Sequence, residues 1–164
     1  MKNLEIVFES ENLIYVKLSE LLIEDYLKMV NDKEVARMIS HKERTYTYEG
    51  EKAWIEEKLS NNSACYSMIE KTTNEFVGNI ELMSIENSTA EIGISITSEK
   101  QNKHYGTEAM KSIIKYGTEV LNIENFHLFV FDNNFRAIHC YEKVGFVDDK
   151  TGENGDLHMV YKRK

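Results

Sequence analysis

Asn134-Phe135-Arg136-Ala137-Ile138-His139-Cys140-Tyr141-Glu142-Lys143-Val144-Gly145-Phe146 is the stretch on which the fold reading turns. Asn134 stands where an Asx side chain caps a helix, and Ala137, Ile138, Tyr141 and Val144 recur at helical spacing on one face. Gly145 is placed to stop that helix, and Phe146 begins an apolar strand pattern. The prediction is a short helix with one buried face, followed directly by a strand.

Working outward, residues 126–131 read as a dense aromatic and aliphatic strand, and residues 156–161 alternate as a last one. Before them, Met110, Ile113, Ile114, Gly117 and Leu121 trace the apolar stripe of a long helix. Strands are predicted at residues 65–70, 76–85 and 90–97, joined by short polar links into an antiparallel meander. On the third strand Ile92, Ile94 and Ile96 share one face, and Glu91, Gly93 and Ser95 the other. The first half reads as a strand over residues 12–18 and a helix over 24–30 carrying Tyr26, Met29 and Val30. Further helical turns follow around Val35, Ala36, Met38 and Ile39. Thr47 is placed to cap another helix, with Glu49 and Glu51 complementing the dipole and Trp54, Ile55 and Leu59 facing inward. The predicted class is mixed α/β, a largely antiparallel central sheet with helices on both faces.

With 164 residues, 41% of them hydrophobic, and no repeat or low-complexity linker, the chain is expected to form one domain with a sizeable core. No apolar run approaches the ~18 to 20 residues of a bilayer span, and residues 1–5 lack the apolar region of a secretory leader, so a cytoplasmic protein without a membrane partner is expected. Cys65 and Cys140 fall inside predicted elements, which favours reduced packing residues over a disulfide or a nucleophile. Twenty basic against twenty-eight acidic residues give a net charge of −8. That balance opposes nucleic acid and suits a cationic substrate, although it also serves solubility alone. No Cys/His spacing indicates a metal site, and no Ser/His/Asp set stands out.

The turn Gln101-Asn102-Lys103-His104-Tyr105-Gly106-Thr107 leads from the third meander strand into the long helix. A helix start of this kind presents unpaired backbone N–H groups to an anion such as a pyrophosphate, but one glycine before a helix is also an ordinary turn.

Taken together, the two segments resemble the GNAT superfamily of N-acetyltransferases. Gln101, Gly106 and Thr107-Glu108-Ala109 match that family's Gln/Arg-x-x-Gly-x-Gly/Ala loop, and Tyr141-Glu142-Lys143-Val144-Gly145-Phe146 matches one of its more specific strings. The resemblance is strong from residue 76 to 146 and looser elsewhere, where it points to the ribosomal-protein N-terminal acetyltransferase branch. It implies a GNAT-like acyl-CoA fold with acetyl-CoA as cosubstrate. By the same resemblance, the loop residues Gln101, Asn102, Lys103, His104, Tyr105, Gly106 and Thr107 hold the pyrophosphate. The main chain of Ile94, Ser95 and Ile96 serves pantetheine and the thioester oxygen, Asn134 hydrogen-bonds pantetheine, and Tyr141 protonates the leaving thiolate. Arg136 either reaches a phosphate or faces solvent. His104 stands where the family usually has its first glycine, so a Cβ crowds the loop or demands an unfavourable φ, unless His104 or Lys103 donates to phosphate.

Amide formation sets the remaining demands. An amine with a pKa near ~10 must lose a proton before it attacks, which calls for a general base. Glu91 resembles the carboxylate of the ribosomal-protein branch, with a solvent-facing strand residue as the competing reading; Glu81 and His158 are alternatives. The family builds its acceptor pocket from the first half of the chain, which makes Met38, His41, Tyr46, Tyr48 and Trp54 candidate lining residues. The implied reaction is direct transfer of acetyl to a primary amine in a ternary complex, the acceptor being a protein N-terminus, a polyamine or another small amine. Many superfamily members are homodimers. The alternative is a noncatalytic acyl-CoA-binding or regulatory module of the same fold.

Overall fold

The computed structural model describes residues 3–40 and 44–163. Its strands are β1 (Ile6–Glu9), β2 (Leu13–Lys17), β3 (Ala64–Glu70), β4 (Phe76–Glu86), β5 (Thr89–Ile96), β6 (Asn125–Phe131), β7 (Phe146–Asp148) and β8 (Asp156–Tyr161). They join in one sheet of order β1-β2-β3-β4-β5-β6-β8-β7, in which every neighbouring pair among the described residues is antiparallel except β5 with β6. The helices are α1 (Ile23–Val30), α2 (Lys33–Ile39), α3 (Tyr48–Ser60), α4 (Tyr105–Glu119) and α5 (Phe135–Val144). Among the described residues, no helix is long and apolar enough to cross a membrane.

Strand alternation divides the interior in two. Leu13, Tyr15, Met68, Ile80 and Ile92 pack on one face with Met110, Ile113 and Ile114 of α4, and the half-buried Ala137, Ile138 and Tyr141 of α5 join them. Ile14, Val16, Cys65 and Ile69 point the other way, onto Tyr26 and Met29 of α1, Val35 of α2 and Ile55 of α3. The mixed sheet with helices on both faces is therefore as expected.

The termini obey their caps. Thr47 Oγ1 accepts the Gly50 N–H, and Asn134 Oδ1 accepts the Ala137 N–H. Gly145 ends α5 at φ +124°, a conformation that disfavours any side chain.

Two expectations are corrected. β1 went unforeseen because its four residues are too few to show alternation. In α3 the inward stripe is Glu51, Trp54, Ile55 and Lys58, while Leu59 is 47% exposed. The helix is rotated so that Lys58 Nζ meets Glu81 of β4 at 2.9 Å, and the i, i+4 neighbour buried with Ile55 is a carboxylate.

Candidate active site

The one parallel pair opens the molecule. β5 and β6 are in register only at Thr89 with Asn125, Ala90 with Phe126 and Glu91 with His127. Beyond those residues β6 continues along β8, while β5 stays with β4. The two strands thus diverge, and a cavity of about 1200 Å³ lies against both, bordered by residues 91–96 and 129–131.

Ladder geometry shows what β5 offers to it. Thr97 N–H donates to Val77 O, so odd-numbered residues of β5 carry the bonds to β4 and Ile94 and Ile96 turn their N–H and C=O groups toward the cleft. Gln101 Nε2 donates to Ile96 O at 2.9 Å, which folds the following loop back onto the strand end. Ser95, by the same alternation, directs its main chain to Asn79 and only borders the cavity.

The loop then enters α4. Lys100 Nζ, its side chain 12% exposed, bonds Glu70 Oε1 at 3.1 Å and Glu75 Oε1 at 2.7 Å. The Tyr105 hydroxyl and the Thr73 hydroxyl also donate to Glu70. Thr73 first, then Tyr105 and Lys100, hold the Glu70 carboxyl down at about 2. This buried carboxylate pins the loop from behind, a role that sequence spacing gave no hint of. His104 adopts φ +67°, ψ +10° and makes no side-chain cap. The unfavourable φ anticipated at this departure from the usual glycine is present. The first N–H groups of α4, from Tyr105 to Thr107, have no intrahelical acceptor. Gln101, Asn102, His104, Tyr105, Gly106 and Thr107 all border the cavity; Lys103 is exposed and does not.

On the far side α5 contributes Asn134, Arg136, Ala137, Cys140 and Tyr141. Cys140 Sγ lies 3.4 Å from Thr107 Oγ1, tying α5 to the first turn of α4. Both cysteines are free thiols, Cys65 buried and Cys140 half-buried. Tyr141 is half-buried, with its ring 6.2 Å from that of Phe146, and burial pushes its phenol above the usual value. Tyr141 thus packs against the core and is also one of the residues bordering the cavity.

The opposite part of the cavity is walled by α1 to α3. Met29, Val35, Met38, Tyr46 and Trp54 line it, as do the carboxylates Glu51, Glu81 and Glu91. Glu81 is committed to Lys58. Tyr48 is 49% exposed and outside the lining, and His41 lies outside the described residues. His158 is not in the cavity: its Nε2 pairs with His127 Nδ1 at 2.8 Å and its Nδ1 with Asp149 Oδ2 at 2.7 Å. Glu51 was foreseen only as a dipole residue; its i, i+4 spacing from Ile55 was the available signal.

The acetyltransferase (GNAT) domain profile matches residues 12–147. The chain belongs to the GNAT acetyltransferase family. Among curated GNAT relatives, spermidine N(1)-acetyltransferase of Escherichia coli K12 is 40% identical over 74 residues, which are 44% of this chain and 40% of that protein. Spermidine N(1)-acetyltransferase of Vibrio cholerae is 28% identical over 93 residues, 56% of this chain and 54% of that protein. The match thus spans about half the length of these relatives. Among solved structures, a GNAT-family acetyltransferase from Bacillus anthracis superposes with a TM-score of 0.81 at 19% identity, covering 93% of this chain and 95% of that one. The V. cholerae spermidine N-acetyltransferase in complex with CoA and spermine gives 0.78 at 20% identity, covering 91% and 94%. These likenesses establish the GNAT fold.

Proposed function

We propose that the protein is a cytoplasmic, acetyl-CoA-dependent N-acetyltransferase, with residues 1–164 forming one domain, and that its acceptor is a small primary amine of the polyamine class. The observation that carries this reading is the continuity of one cavity between two chemically different halves. One half offers the free edge of β5, the amide-rich start of α4 and the Tyr141 ring; the other offers Glu51, Glu81 and Glu91. An anionic thioester and a cationic amine fit those halves respectively. The spermidine acetyltransferases among the relatives support the polyamine class.

The residues then divide the work. Main-chain N–H groups of Tyr105, Gly106 and Thr107 receive the pyrophosphate, with Arg136 at the rim. Ile94 and Ile96 bond pantetheine along the β5 edge, helped by Asn134. Glu91, directly or through water, takes the proton that the ammonium must lose. The amine nitrogen attacks the thioester carbon within the ternary complex, an N–H of β5 stabilises the charge growing on the carbonyl oxygen, and the C–S bond breaks. Tyr141 gives its phenolic proton to the departing thiolate and is re-protonated by the second proton, which the acylated nitrogen sheds as the amide forms. Burial raises the phenol, and the same apolar wall disfavours the free thiolate, so the two proton affinities move together.

A second acceptor, a protein N-terminus, follows from the resemblance to the ribosomal-protein branch. It is favoured by Phe129, which borders the cavity while 51% exposed and offers an apolar shelf to a peptide. Thiol release from acetyl-CoA with spermidine, putrescine, simple monoamines and an N-terminal peptide tests both. Spermidine or putrescine is expected to give the highest kcat/KM. Preference for the peptide would move the acceptor to the second class, and CoA binding without turnover of any amine would leave a noncatalytic module.

A further inference from the structure

Among the described residues, Glu51 is the buried carboxylate of the acceptor half that has no partner. It stands in the fourth helical position of α3, where Thr47 already caps the helix by accepting the Gly50 N–H. It is only 6% exposed, it borders the cavity, and among the described residues no donor reaches its side chain. Burial alone pushes its pKa up. Other enclosed carboxylates are answered: Glu70 by Thr73, Tyr105 and Lys100, Glu81 by Lys58, Glu108 by Ser10 and Asn12. A buried carboxylate that faces a cavity with no partner among the described residues is suited to receive a cation with N–H donors. Arg44 borders the same cavity, and its guanidinium lies over the Tyr46 ring, 5.3 Å from the centroid.

We propose that Glu51 binds the second, non-reacting ammonium of a di- or polyamine acceptor and so sets the preference for polyamines over monoamines. The inference rests on the N-acetyltransferase reading above. An alkylammonium brings one positive charge and three donors, which an enclosed carboxylate can accept. Lys58 of α3 meets Glu81 on the sheet face that also carries Glu91, so a flexible diamine bound at Glu51 of the same helix extends toward β4 and β5, where its other nitrogen meets the base. Because Glu81 is already neutralised by Lys58, Glu51 is the carboxylate left to hold the far end.

The experiment compares putrescine with n-butylamine, which has the same carbon chain and one nitrogen fewer. The wild type is expected to favour putrescine in kcat/KM by about tenfold or more, the range of a charge-assisted hydrogen bond. Glu51→Gln keeps the shape and removes the charge; it is expected to lower kcat/KM for putrescine about tenfold through KM while leaving n-butylamine and the KM of acetyl-CoA within about twofold. Glu51→Asp is expected to recover part of the loss. Equal use of the two amines by the wild type, which needs no variant, would overturn the proposal, as would an equal loss for both in Glu51→Gln. Calorimetry of spermidine against the protein with CoA present separates this inference from the catalytic reading. Spermidine binding that weakens about tenfold in Glu51→Gln without turnover of any amine would keep the ammonium site and end the enzyme reading. Unchanged spermidine binding would end the ammonium site whether or not the enzyme turns over.

Discussion

His104 is held at φ +67° by the bend that turns the loop into α4, and its imidazole caps nothing. A Cβ in that region is unfavourable, so His104→Gly is expected to stabilise the fold by about 0.5–1 kcal/mol, read as a rise of roughly 1–4 °C in melting temperature. If main-chain amides alone hold the phosphates, CoA affinity stays equal or tightens, which calorimetry reads directly; a weaker complex would make the imidazole a ligand. Tyr141→Phe removes only the proton donor, so kcat is expected to fall about 10²-fold or more while the KM of acetyl-CoA holds. A loss in KM alone would reduce Tyr141 to packing. Residue types were legible at both positions because the chain carries recognisable strings there. The unfavourable φ at 104 could also be read from the missing glycine, whereas the surroundings of the 141 ring could not, since they depend on what packs behind it.

At the level of elements, the phosphate loop stands on a carboxylate from another hairpin. Glu70 is held at about 2, below the ~4.3 of an unfolded glutamate, chiefly by the Thr73 hydroxyl and then by Tyr105 and Lys100. A depressed folded value means that the stabilisation is present above ~4.3 and lost as pH falls toward 2. Glu70→Gln is therefore expected to lower the melting temperature at pH 7 and to match the wild type near pH 2; an equal deficit at both would assign the loss to packing. Gly78 pairs with Ile96, and a Cβ there would lie 2.0 Å from Ser95 O. Gly78→Ala must push the end of β5 away from β4, and a loss of about 2 kcal/mol or more is expected from denaturant unfolding, together with weaker CoA binding. The meander and α5 could be read from period-2 and period-3.6 patterns over sufficient length. β1 was too short for any period, and α3 is amphipathic about an axis that a buried Glu51 and a bridging Lys58 displace from the apolar residues.

Across the whole molecule, the cleft arises because two strands from distant parts of the chain run parallel for three residues and then part. Nothing local encodes that separation, so the contents of the site were readable while its shape was not. The net charge of −8 acts at the same scale. Raising ionic strength from about 0.05 to 0.5 M shortens the screening length to a few ångströms and is expected to lower kcat/KM for spermidine about tenfold or less, with a smaller change for a monoamine. The account stands or falls on where the cosubstrate lies. A crystal structure with CoA is expected to place the pyrophosphate on the amides of residues 105–107 and the sulfur within about 4 Å of the Tyr141 hydroxyl, pantetheine running along Ile94 and Ile96. CoA bound outside the β5–β6 cleft, or a sulfur turned away from Tyr141, would contradict it.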